Sequence, residues 1–166
     1  MLRLILRDCC GRKLEVAPVR ILPTMGCFHP AANEHFNDPQ GYLKWYQRYL
    51  ERRPKSDAHM AANRTTGLFH KAEQRPLVAL LAFRKHVMQQ QPYHAQLIEA
   101  LEREGLGVLP IFVSGIGLHV AVREWVSRCH VDLLINTMGF PIVGGPAGST
   151  KPGHYQEKAA ELLGGL

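Results

Sequence analysis

The sequence predicts an α/β fold: a small parallel sheet of βα units, Rossmann- or flavodoxin-like, with a mixed, partly helical N-terminal lobe. Two observations predict it. After Arg75 the chain switches three times from a short apolar run to a loop and then to an amphipathic segment. The runs are Leu77–Phe83, Val108–Val113 and Val131–Ile135. Strand, loop and helix in that order build a parallel sheet. Finally, 166 residues with 46% apolar side chains suffice for an ordinary globular core. Parallel sheets place ligands outside the carboxyl ends of their strands, so the loops after these runs are where chemistry is sought.

Each element has its own signal. Residues 1–22 are mixed, and Pro18 and Pro23 limit regular structure there. Thr24–Pro30 reads as an ordered loop or strand end. Asn37-Asp38-Pro39 is a helix start, with Asp38 as cap and Pro39 in the first turn. The helix runs from Gln40 to Arg52, placing Leu43, Tyr46, Gln47 and Leu50 on one side with Trp45 and Tyr49 adjoining. Pro54 ends it. Residues 54–75 are polar and aperiodic, as a linker or exposed loop is. Further on, Tyr93, Leu97 and Leu101 form one helical stripe with Ile98 beside them. Leu118, Val122, Trp125, Val126 and Cys129 form a second, with His119 at its edge. Tyr155, Ala159, Leu162 and Leu163 form a third. Gly105 is a C-cap signal.

This gives two parts: residues 1–75 as N-terminal lobe and linker, and residues 76–166 as an α/β domain that is incomplete. Three parallel strands leave two open edges. Either the N-terminal segment supplies another strand or the chain is a piece of something larger.

The net charge of +6 sits in the first part, where residues 1–75 carry 13 Lys+Arg against 7 Asp+Glu. Such a balance permits nucleic acid, an acidic membrane or a carboxylate-rich small molecule without choosing among them. The four cysteines form no CxxC pair, and the nine histidines show no HExxH or closed-site spacing, so no metal site is expected. No run approaches the ~20 apolar residues of a membrane span, and Leu2–Leu6 is too short for a signal-peptide core. These features read as a soluble protein from a reducing compartment with free thiols.

Two stretches carry candidate chemistry. Arg84-Lys85-His86 leaves the first strand at its carboxyl end, where an Arg pairs well with a carboxylate. Asn136–Thr150 is the densest glycine loop. Asn136, Thr137 and Met138 end the third strand, and Gly144, Gly145 and Gly148 can turn backbone N–H groups toward an anion. The loop is neither a Walker loop nor GxGxxG, so no nucleotide site is assigned. Without GxSxG, nucleophilic catalysis is unsupported.

Several strings occur together in one order: Thr24-Met25-Gly26-Cys27-Phe28-His29-Pro30, Tyr42-Leu43-Lys44-Trp45-Tyr46, Arg84-Lys85-His86-Val87 with Gln91-Pro92-Tyr93, and Met138–Gly148. They resemble the porphyrin-binding large (H-type) subunits of magnesium chelatases, most closely the bacteriochlorophyll-type branch, with aerobic cobaltochelatase large subunits as relatives. The likeness runs from about Val19 to Leu163. It implies ATP-dependent insertion of Mg²⁺, as substrate, into protoporphyrin IX for chlorophyll or bacteriochlorophyll. AAA+ partner subunits would use the ATP, and no nucleic acid would be involved. The setting implied is bacterial cytoplasm or plastid stroma.

The large subunits of that family are several times longer, so the chain looks like a fragment without autonomous activity. Ala31-Ala32-Asn33 also stands where many members have Leu-Ala-Pro. Under this resemblance Arg84, Lys85, His86, Asn136, Met138, Gly139, Gly144 and Gly145 are the candidate substrate-binding residues. No catalytic residue is assigned, and His86 is a weak candidate base. The alternatives are a cobaltochelatase segment of cobalamin synthesis and a non-catalytic scaffold that docks the ATPase subunits.

Overall fold

In a computed structural model, described over residues 2–16, 23–52, 75–115, 118–143 and 156–164, the elements follow in this order. Helix α1 (Leu2–Asp8), strand β1 (Met25–Cys27) and helix α2 (Pro39–Arg52) come first. Strand β2 (Leu77–Phe83), helix α3 (Arg84–Met88), helix α4 (Pro92–Arg103) and strand β3 (Gly107–Val113) follow. Helix α5 (Leu118–Ala121), strand β4 (Leu133–Asn136) and helix α6 (Gln156–Leu163) complete them. The strands form one sheet in the order β1-β3-β2-β4. β2 runs parallel to β3, from Leu77↔Gly107 to Phe83↔Val113, and parallel to β4, from Val78↔Leu133 to Leu81↔Asn136. The expected α/β sheet is therefore present. It is mixed rather than purely parallel, because β1 adds antiparallel to β3 through Met25↔Val113 and Cys27↔Ile111. The N-terminal stretch thus covers one of the open edges.

β2 and β3 read as unbroken apolar runs because both sheet faces are covered. On one face Ala79, Leu81, Leu109, Ile111 and Val113 pack with Tyr42 and Tyr46 of α2 and with Leu118, Val122 and Val126. On the other, Leu80, Ala82, Val108 and Phe112 pack with Val87 and with Ile98 of α4. Each fully buried leucine here stabilises the fold by about 1.5–3 kcal/mol. Gly26 is required by close approach. A Cβ there would lie 2.6 Å from the Phe112 ring and 2.9 Å from the Phe36 carbonyl oxygen.

Helix α2 starts as its sequence demands: Asp38 Oδ1 accepts the Gly41 N–H at 2.7 Å. Its buried face differs from the expected one. Tyr42 and Tyr46 are buried, whereas Gln47 is exposed. The reason lies in β3. β1 is too short to pair with the first half of that strand. There Tyr42 Oη donates to the Val108 carbonyl at 2.8 Å, and Tyr46 Oη accepts the Val108 N–H at 3.2 Å. Two phenols thus do the work of a missing strand. Between them and β1, the Phe28 N–H donates to Pro110 O at 3.1 Å. Pro110 is tolerated in mid-strand because its nitrogen, which has no proton to give, faces the side where β1 ends.

The stripe expected on α4 is corrected as well. Its buried residues are His94, Ile98 and Glu102, and Tyr93 is 40% exposed. An apolar-only reading of the helix therefore chose a neighbouring face. The C-terminus behaves as predicted: Gly105 has φ +82°, its N–H donates to Glu102 O, and the Leu106 N–H reaches Leu101 O. The segment after Leu118 buries the expected Leu118, Val122 and Val126, but it is not one regular helix. α5 passes into a π turn (Val122–Val126) and then a 3₁₀ turn (Ser127–Cys129). Ser127 Oγ donates to the Val122 carbonyl at 3.1 Å. His119, expected at the core edge, is exposed. Tyr155, Gly144–Thr150 and most of the polar 54–75 stretch lie outside the described residues.

Candidate functional site

β2 leads through α4 to β3 on one side of it, and β3 leads through α5 to β4 on the other. The strand order therefore reverses between β2 and β4, and in open parallel sheets ligands bind at the carboxyl ends flanking such a point. The turn after β4 reaches the carboxyl end of β2 there. Thr137 N–H and Oγ1 both donate to Leu81 O, at 3.0 and 2.7 Å. The Phe83 and Phe140 rings pack edge to face with centroids 6.0 Å apart.

The tertiary structure sorts the candidates by what each side chain touches. Arg84-Lys85-His86 forms the first turn of α3, not the expected loop. Arg84 Nε donates to the Pro23 carbonyl at 2.7 Å and ties the approach to β1 onto the end of β2. Lys85 is exposed and His86 half-buried. His86 Nδ1 lies 2.6 Å from Tyr93 Oη, and its ring stands at right angles to Phe83 at 5.5 Å. Asn136 shapes its own turn: Oδ1 accepts the Met138 N–H at 3.1 Å and Nδ2 donates to Phe140 O at 2.9 Å. Met138 is buried in the core. Gly139 has φ +77° with open space around it, a conformation that suits glycine. Gly144 and Gly145 lie outside the described residues.

Beside His86, His94 is only 2% exposed, and neither of its ring nitrogens has a hydrogen-bond partner. Its ring lies 4.0 Å from Tyr93, 5.8 Å from Phe28 and 6.4 Å from His86, centroid to centroid. Burial, and secondarily the charge of His86, lower its pKa from 6.5 to about 4. A depressed folded-state pKa means the unfolded chain binds the proton first. Stability is therefore complete above about pH 6.5 and falls as pH drops toward about 4. The loss expected is about 2 kcal/mol, discounted because His86 remains near water. Urea midpoints measured at pH 7 and pH 4.5 check this: His94→Leu is expected to flatten a large part of the wild-type decline.

A second cluster was missed by sequence reading. His29 Nδ1 accepts the Ala31 N–H at 3.1 Å, so Nε2 carries the proton and donates to Glu102 Oε1 at 3.0 Å. Their side chains are 1% and 0% exposed. Trp45, Tyr46 and Tyr49 enclose the imidazole with centroids at 5.1, 5.7 and 4.8 Å. Burial, then Glu102 beside it, push the Tyr46 phenol well up. No solvent reaches this pair, so it clamps the loop after β1 onto α4 rather than meeting substrate. The usable signal was the spacing His94-Ile98-Glu102, a helical stripe with charge at its end.

The remaining chemistry is quiet. All four cysteines are unpaired, and burial pushes the Cys27 thiol up. Among the described residues no group of three or more His, Cys, Asp or Glu could hold a metal ion. No described helix is long and apolar enough to cross a membrane.

The chain has clear relatives. The magnesium-chelatase large (H-type) subunit of Chlorobaculum parvum is 40% identical over 166 residues, all of this chain and 12% of that protein. The chloroplastic magnesium-chelatase subunit ChlH of Oryza sativa subsp. indica is 26% identical over 133 residues, 76% of this chain and 9% of that protein. The aerobic cobaltochelatase subunit CobN of Pseudomonas aeruginosa is 28% identical over 142 residues, 83% of this chain and 9% of that protein. The chain thus spans about an eighth of the length of the first of these relatives. The family description CobN/Magnesium Chelatase matches residues 1–163. On the match over residues 1–163 and the 40% identity over the whole chain, this chain belongs to the CobN/magnesium chelatase family.

Proposed function

We propose that this chain is a segment of a magnesium-chelatase large subunit that holds protoporphyrin IX while Mg²⁺, the second substrate, is inserted. The reaction would serve chlorophyll or bacteriochlorophyll synthesis and draw on ATP hydrolysed by AAA+ partner subunits. The observation that carries the reading is the meeting of the carboxyl end of β2, which leads into Arg84-Lys85-His86, with the Asn136–Phe140 turn at the switch point of the sheet. A porphyrin is a flat apolar ring with two propionates. Phe83, Phe140 and Tyr93 offer apolar surface beside Lys85, a cation free to reach a carboxylate from an exposed position. Arg84 braces the same turn through Pro23. Asn136, Gly139 and the glycines that follow, Gly144 and Gly145, complete the proposed substrate-binding set. Met138 supports it from the core.

Insertion also removes two pyrrole protons, which calls for a base. His86 is an imidazole at this end of the sheet that is not fully buried. Magnesium is favoured over cobalt by the higher identity to the Chlorobaculum parvum relative than to the cobaltochelatase one, 40% against 28%.

The test titrates protoporphyrin IX into the intact polypeptide that carries this sequence and follows tryptophan quenching. Saturable binding is expected, weakened at least tenfold by Lys85→Glu, an exposed position whose change leaves the fold intact. Unchanged affinity in that variant would sink the assignment of the cationic turn. Capture of the AAA+ subunits without any porphyrin binding would favour a docking scaffold instead.

A further inference from the structure

We propose that His86 is an axial ligand for the metallated porphyrin, with Tyr93 as the positioning residue that prepares it. The inference rests on the porphyrin reading above and deepens it from the macrocycle's edge to the metal at its centre.

A macrocycle holds its metal with four in-plane nitrogens and leaves the axial faces open. Neutral imidazole is the commonest protein ligand for such a position. An imidazole can serve only if one ring nitrogen keeps its lone pair while the other N–H is donated elsewhere, which also sets the ring's orientation. His86 meets both conditions in one of its two neutral tautomers. Its Nδ1 is 2.6 Å from Tyr93 Oη. When Nδ1–H donates to the phenol oxygen, Nε2 is left as the lone-pair nitrogen. Among the described residues, nothing else hydrogen-bonds this imidazole. The ring is held edge-on by Phe83 at 90° and by Tyr93 at 74°. It is half-buried, so a ligand can approach it.

His94 is the contrasting case. Its ring also lies against Tyr93, but its nitrogens are sealed in the core. It packs behind the ligand rather than serving as one. In binding, the Nε2 lone pair takes the axial position and a water leaves the metal. No proton or electron changes hands. Such a ligand would hold the metallated ring more tightly than the free base, because the free base has no metal to offer.

Zinc protoporphyrin IX is the probe, since zinc suits an imidazole and has a sharp Soret band. It is titrated, in parallel with free-base protoporphyrin IX, into the intact polypeptide. The wild type is expected to red-shift the zinc-porphyrin Soret band as a five-coordinate histidine complex. His86→Ala should abolish that shift and weaken zinc-porphyrin binding more than free-base binding, and added imidazole should restore the shift. Tyr93→Phe removes the hydroxyl but keeps the ring. It should weaken zinc-porphyrin affinity about tenfold more than free-base affinity. A shift that survives His86→Ala overturns the proposal, as does equal weakening of both porphyrins in Tyr93→Phe. If free base binds and zinc-porphyrin shows no histidine-dependent shift, this inference alone fails. If neither binds, the porphyrin reading fails with it.

Discussion

Glu102→Leu is expected to destabilise the fold by about 3–5 kcal/mol, the cost of removing one partner from a buried pair. The carboxylate is 0% exposed and takes the Nε2 proton of His29, itself 1% exposed. Leucine fills much of the volume but accepts nothing. His29 Nε2–H would then lie unpaired among Trp45, Tyr46 and Tyr49, with no water to replace the carboxylate. Urea unfolding checks the prediction: the midpoint should fall while the m-value stays constant. The double variant His29→Phe with Glu102→Leu should recover part of the loss. It deletes both members of the pair and leaves aromatic packing, but the Ala31 N–H and the Tyr46 hydroxyl lose their partners, so the recovery is incomplete. A double variant that simply adds the two single losses would mean the pair is not coupled.

Tyr42→Phe combined with Tyr46→Phe is expected to cost about 2–4 kcal/mol, although the two rings stay in place. The cost comes from β3. Val108 is fully buried, and the two hydroxyls are the partners of its C=O and N–H on that side. Each buried backbone group left unsatisfied costs roughly 1–3 kcal/mol. The single variants should be unequal. Tyr42 Oη makes the shorter bond, 2.8 Å against 3.2 Å, and burial leads the causes that raise its pKa. Amide hydrogen exchange at Val108 gives a specific readout: Tyr46→Phe should speed it, because that hydroxyl accepts the Val108 N–H. Unchanged protection there would show that another group satisfies the strand.

Much of the candidate site was legible in the sequence because it obeys local rules. The run Leu77–Phe83 is the observed β2 residue for residue, since a strand covered on both faces is written as an uninterrupted apolar stretch. The place to look followed from that, as ligands sit beyond the carboxyl ends of parallel strands. The faces of α2 and α4 were not legible. Their buried sides carry Tyr42, His94 and Glu102, and a polar residue enters a core most readily when its partner, distant in sequence, is there to receive it. His29 and Glu102 are 73 residues apart, and Tyr42 and Val108 are 66 apart. No window of helical periodicity spans such pairs.

The sequence by itself thus determined the strands after Arg75, the cap at Asp38, the turn at Gly105 and the family likeness. These depend on residues close together in the chain or on strings read in order. Only the tertiary structure decided that β1 covers an edge of β3 and that two tyrosines replace a strand. It also showed that Arg84 and Asn136 brace the turns after β2 and β4 and that Met138 packs in the core, while Lys85 is exposed and His86 half-buried. The physical reason is that a hydrogen bond or a buried contact is made in space. The side chain that satisfies it can come from any part of the chain that the sheet brings near.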